Sequence, residues 1–267
     1  MKTFNKILFP LLSVAFSISA IVPTSASMPT VGLGTSTNFA VLAGSTITNT
    51  GSSVINGDLG LAPGSSITGF PPGIINGSQH VNDAVAIQAQ TDLTTAYNDA
   101  AGRTPVTTVP TELGATTKTA GVYDAASGTF QITGTLTLDA QGDPNAVFVF
   151  KTASTLITAG ASNINLINNA QSCNVFWQVG TSATIGTTST FKGNLMALTS
   201  VTLTNGASVE GRILTRNAAV TLDTNIINKA TCSQAVIPTS TPNITTTPKL
   251  PNTSIVPKLP NAGAPID

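Results

Sequence analysis

Charge is what this chain has least of. Acidic and basic residues number 11 each among 267, make up 8% of the sequence and cancel at pH 7. So few Lys and Arg leave no basic surface for a phosphate backbone, which excludes nucleic acid as a partner. A one-signed field that could steer a charged substrate is missing for the same reason. Histidine occurs once and cysteine twice, without zinc spacing, and no carboxylate cluster indicates calcium, so neither metal nor other cofactor is expected. The lone histidine, His80, reads as a solvated loop residue. No nucleophile elbow is found. Paired acids for glycoside hydrolysis are missing too. Asp58 belongs to the turn signature Asn56-Gly57-Asp58, Asp92 and Asp99 fall in a helical stretch, and Glu210 and Arg212 flank Gly211, where they could pair on the surface. The chain reads as a non-enzyme.

Long apolar runs are lacking as well, except at the start. Lys2 and Lys6 precede the apolar run from Ile7 to Val22, and Thr24-Ser25-Ala26 supplies the small residues of a cleavage site. Pro10 and several serines interrupt a run already short for a membrane span. Residues 1–26 are therefore expected to be a removable export signal, leaving a secreted, extracellular chain with no membrane contact. In that setting Cys173 and Cys232 are expected to pair and clamp the segment between them. From 237 to 267 the sequence turns rich in Pro, Thr and Asn and predicts an extended, unfolded tail. Its two Pro-Lys-Leu-Pro-Asn repeats each miss a wall-sorting signal by one residue, and wall anchoring is set aside. One domain, 27–236, is left between signal and tail.

What is abundant is Thr, Ser, Asn, Gly and small aliphatics, a composition of short strands and tight turns. The stretch from Asn174 to Asn228 repeats itself in turns of roughly 18–20 residues, the period of a solenoid coil. The middle strand of each turn alternates apolar with threonine: Ala183-Thr184-Ile185, Val201-Thr202-Leu203 and Val220-Thr221-Leu222. Stacked in register, they would present a file of threonines on one flat face. The theme recurs in Thr46-Ile47-Thr48-Asn49-Thr50, Ser66-Ile67-Thr68 and Phe130-Gln131-Ile132-Thr133, whereas the phase around Ile157 is ambiguous. From about Asn82 to Ala101, Ala86, Ala89, Leu93, Ala96, Tyr97 and Ala100 fall at helical spacing, with Gly102 placed to cap the end. That stripe needs a partner, most simply one side of the solenoid, with Tyr97 in the packing. The nearly all-apolar Ala146–Phe150 then reads as a strand buried on both faces.

An exposed threonine surface is by itself often no more than a solvated one. The absence of Lys and Glu from these strands is unusual, because exposed sheets normally carry charge against association. Further motifs add to this. Asn38-Phe39-Ala40-Val41-Leu42-Ala43, Asn56-Gly57-Asp58-Leu59-Gly60, Ala96 to Arg103, Asn174 to Val179, and Gly206-Ala207-Ser208-Val209-Glu210-Gly211-Arg212 resemble the microbial ice-binding (antifreeze) protein family over about residues 31–232. The resemblance implies a mainly β fold, a right-handed discontinuous β-solenoid of triangular section with one long helix alongside. It also implies a monomer that adsorbs to an ice crystal surface through one flat face and inhibits ice growth and recrystallisation. Mid-strand positions of that face fall on Thr48, Thr68, Gln131, Thr184, Thr202 and Thr221, with Thr46, Thr50, Ser66, Thr133 and Thr204 beside them. The alternative is an extracellular adhesin or polysaccharide-binding module without catalysis.

Overall fold

The three repeated turns stack as coils. In the computed structural model, which describes residues 28–233, every apolar-threonine segment of the repeat is a short strand. The expected signal 1–26 and the expected tail 237–267 lie outside the described residues. Val175–Val179, Ala183–Ile185 and the first half of Thr190–Ala197 form one coil; the other two repeat this plan through Val201–Leu203 and Val220–Asp223. All neighbours pair in parallel, one coil on the next. Strands Thr190–Ala197 and Ser208–Thr215 run straight through a corner between two faces. They bend at glycine: Gly193 has φ 117°, and a Cβ there would stand 2.9 Å from the Trp177 indole nitrogen.

Order in space departs from order in sequence. Phe39–Ala43 pairs with Ser208–Thr215, Thr46–Thr50 with Val220–Asp223, and Val54–Asn56 with Ile226–Asn228. The N-terminal residues thus extend the stack beyond its C-terminal coil. A further coil, Asp58–Leu61, Ser66–Thr68 and Ile74–Asn76, follows, and Gln79–Val81 ends the stack. The chain resumes pairing at Thr107–Val109, at the opposite end of the same face. Counting both ends, nine parallel strands make up this stack, roughly 38 Å at ~4.8 Å per step. The helix Ala84–Gly102 carries the chain back along that distance; its 19 residues span ~28 Å.

Two cores hold the structure. Inside the coils, Tyr123, Phe150, Trp177 and Phe191 form a ladder with successive centroids 5.2, 4.2 and 5.5 Å apart. Outside, the helix stripe of Ala89, Leu93, Ala96, Tyr97 and Ala100 packs on Val149, Phe176, Met196, Leu214 and Leu42. This is the stripe that the periodicity predicts, and Tyr97 is buried in it, its hydroxyl donating to the Val179 carbonyl at 3.2 Å. Strand Phe148–Thr152 sits between both cores, which explains its continuous apolar run. Asp83 caps the helix through the Ala86 N–H at 2.8 Å.

Three local expectations need correction. Gly102 is the last helical residue and Arg103 leaves in extended conformation, because the Lys151 ammonium takes the carbonyls of Ala101 and Arg103 at 3.0 Å and a left-handed cap is not required. His80 is not a free loop residue: it lies in strand Gln79–Val81, with Nδ1 2.8 Å from Asp83 Oδ2 and its ring edge-on to Phe39. Glu210 and Arg212 do not pair. The corner at Gly211 sends them to different faces, where Glu210 meets Lys192 at 3.4 Å and Arg212 is buried. The expected Cys173–Cys232 bridge is present.

Candidate functional site

Seven strands make the face that neither helix nor N-terminal segment covers. In spatial order they are Phe130–Ile132, Leu156–Thr158, Ala183–Ile185, Val201–Leu203, Val220–Asp223, Thr46–Thr50 and Ser66–Thr68. Each strand turns its apolar residues into the coil, so the residue between them must point out. Register then fixes a single outward file: Gln131, Ile157, Thr184, Thr202, Thr221, Thr48, Thr68. Glu112 bridges to Gln131 and stands at its head. The file is about 29 Å long at ~4.8 Å per strand.

All six mid-strand residues expected from the sequence are brought into this file. The ambiguous Ile157 takes the seventh place, 42% exposed between Gln131 and Thr184. Thr158 points inward instead, its hydroxyl accepting from the Gly186 N–H at 2.8 Å.

A second file precedes the first by two residues on each strand: Thr129, Thr155, Ser182, Ser200, Ala219, Thr46 and Ser66. Backbone bonds from Phe130 to Thr155, Leu156 to Ser182, Ala183 to Ser200 and Val201 to Ala219 fix their alignment. Four of these hydroxyls escape a reading based on the apolar-threonine-apolar triplet, because each lies one residue before its strand. Their signal is the recurrence of Ser or Thr two positions ahead of every outward residue but Thr221, which Ala219 precedes. Neighbours in this file bond to each other, Thr129 to Thr155 at 3.2 Å and Ser182 to Ser200 at 3.0 Å.

On the other flank the hydroxyls are tied down. Thr204 donates to the Ile185 carbonyl at 2.8 Å, and Thr133 donates to Glu112 Oε2 at 2.8 Å. Partial burial would raise the Glu112 pKa. The Thr133 and Gly114 N–H groups and the Thr133 hydroxyl outweigh it and hold the carboxyl below its usual value. Thr50 stands exposed beside Asp223, whose Oδ1 accepts from Asn205 and Thr224. Charge thus occurs only at the margins of the face.

The central file is different. Among the described residues, the hydroxyls of Thr184, Thr202, Thr221, Thr48 and Thr68 make no hydrogen bond to protein, so water must satisfy them. Their β-branched side chains have stiff χ1 angles, on a backbone held by parallel pairing from both sides except at Thr68, whose strand ends the sheet. The result is a flat, uncharged lattice of methyls and free hydroxyls. Among the described residues, no group of three or more His, Cys, Asp or Glu stands together to hold a metal ion.

Residues 41–228 match the family described as ice-binding-like. A protein named ice-binding protein, from Nostoc sp. (strain HG1), is 50% identical over 232 residues, covering 86% of this chain and 85% of its own length. The crystal structure of an ice binding protein from an Antarctic biological consortium superposes with TM-score 0.75 at 44% identity, over 84% of this chain and 97% of the other. That of an ice-binding protein from the Antarctic ascomycete Antarctomyces psychrotrophicus gives TM-score 0.72 at 40% identity, over 77% and 100% of the two chains.

Proposed function

The chain belongs to the ice-binding-like family, and from that premise we propose that it adsorbs to ice through the seven-stranded face and so inhibits ice growth and recrystallisation. The family is one of ice binding rather than catalysis. The observation that carries the proposal is the run of five threonines whose hydroxyls have no protein partner. Water held by those hydroxyls is spaced by the strands, about 4.8 Å one way and about 6.7 Å the other. The methyls between them limit competing hydrogen bonds, so the layer is ordered before ice arrives and merges with the crystal. Many weak contacts of this kind add up only when little is ordered on binding. The two cores, the helix and the bridge supply that rigidity.

The contact residues are Thr48, Thr68, Thr184, Thr202 and Thr221, flanked by Thr46, Ser66 and Thr50. Gln131 and Thr133 form the margin beside Glu112. The protein works outside the cell as a monomer, with 1–26 removed, 27–236 as the ice-binding domain and 237–267 as its tail. Growing an ice hemisphere in dye-labelled protein tests the reading. Uptake of dye into the ice is expected, and exclusion of the dye, as for a carbohydrate-binding module, would refute it.

A further inference from the structure

Arg212 closes the Gly206–Arg212 motif, and the flat face makes no use of it. Its side chain is 5% exposed on the opposite side of the coil, under the N-terminal segment. Nε donates to the Thr37 carbonyl at 3.0 Å and Nη1 to Asn194 Oδ1 at 2.8 Å. Nη2 donates to the Ala230 carbonyl at 3.0 Å and to the Thr37 hydroxyl at 3.3 Å. All four acceptors are neutral, and a guanidinium has five N–H groups. Among the described residues the three ion pairs are His80–Asp83, Arg103–Asp99 and Lys192–Glu210, so this buried charge has no counter-charge. Buried cations are normally paired, because removing a charge from water is expensive. Desolvation accordingly lowers its pKa to about 10.

Beside Arg212 lies a cavity of about 530 Å³, walled by Thr30, Gly32, Thr37, Asn174, Phe176 and the Cys173–Cys232 bridge. No acid lines it, and Arg212 is its sole ionisable group. The remaining Nη1 proton and the hydroxyl proton of Thr37 have no acceptor among the described residues. We propose that this cavity binds a small oxyanion, a phosphate or a carboxylate, through Arg212 and Thr37. The anion supplies the missing counter-charge and joins three segments that meet there: the N-terminal segment, the Asn194–Arg212 coils and the residues around Ala230.

Thermal unfolding of the full chain tests this, with inorganic phosphate or acetate exchanged for chloride at constant ionic strength. A saturable rise in Tm of about 2–8 °C is expected with at least one of the two, and the one that acts identifies the anion. R212Q should lose the response. Should R212Q fail to fold, G32E decides, since a side chain at Gly32 meets nothing within 4 Å. Gly32 and Arg212 line the same cavity, so the new carboxylate supplies the counter-charge from within the chain, and G32E should raise Tm without added anion and abolish the phosphate or acetate response. Thermal hysteresis of G32E should match the wild type, because the flat face is untouched. A rise that never saturates, or one that persists in G32E, would mean adventitious anions only and overturn the proposal.

Discussion

A hydroxyl without a protein acceptor is handed to water, and five in a row define where water is ordered. T202Y and T184Y place a ring in the middle of that row, on strands whose inward residues are unchanged. Thermal hysteresis is expected to fall roughly tenfold or more, while Tm stays within about 2 °C because the site is on the surface. Activity retained in both variants would move the contact elsewhere. Ile157 makes the opposite prediction. It interrupts the file with an apolar group where the register calls for a threonine, so I157T should raise hysteresis, by a factor of about two. The sequence could not place this residue. Thr155, Ile157 and Thr158 offer two polar phases, and only the buried Gly186 N–H that captures Thr158 decides between them. Arg212 was equally illegible, since its neighbour Glu210 offers an obvious partner until the corner at Gly211 separates them.

At the scale of elements, the threonine strands and the helix were legible because their periods differ, two against roughly 3.6. The helix stripe is fully used in packing, and Leu93, with no exposed surface, stands at its centre. L93A should cost about 2–5 kcal/mol, read in denaturant unfolding, yet keep hysteresis near 0 °C because the flat face lies on the other side of the coils. The margin strand has its own pH dependence. Hydrogen bonds lower the Glu112 pKa from its ordinary 4.5, so their stabilisation is complete above that value. It is lost as pH falls through the lowered folded value. Tm should therefore be flat from about pH 5 upward and drop below it. E112Q should flatten that acid limb; an unchanged limb would mean that other carboxylates control it.

For the whole molecule, the bridge closes a loop of 59 residues around the repeat. Losing it in C173S/C232S should destabilise by ~4 kcal/mol on the chain-entropy model. That corresponds to a drop of about 10 °C in Tm. Hysteresis measured in the cold should persist, since neither cysteine lies on the flat face. The chain-order inversion of the stack was legible only through family resemblance. No local pattern in Phe39–Ala43 says that its partner lies near residue 213.

That inversion also bears on how the protein is made. Synthesis runs from the N-terminus, so residues 39–81 emerge long before the coil on which they dock. Thr48 and Thr68 can pair with each other, but their strands have no coil to dock on until Thr221 has left the ribosome. Pairings this distant close slowly and leave strand edges open meanwhile. The seven-stranded flat face is thus finished only when the N-terminal strands dock on the last coil. If the chain is exported as proposed, that delay is useful. A polypeptide that cannot close its fold before its final coil exists stays threadable while it crosses the membrane.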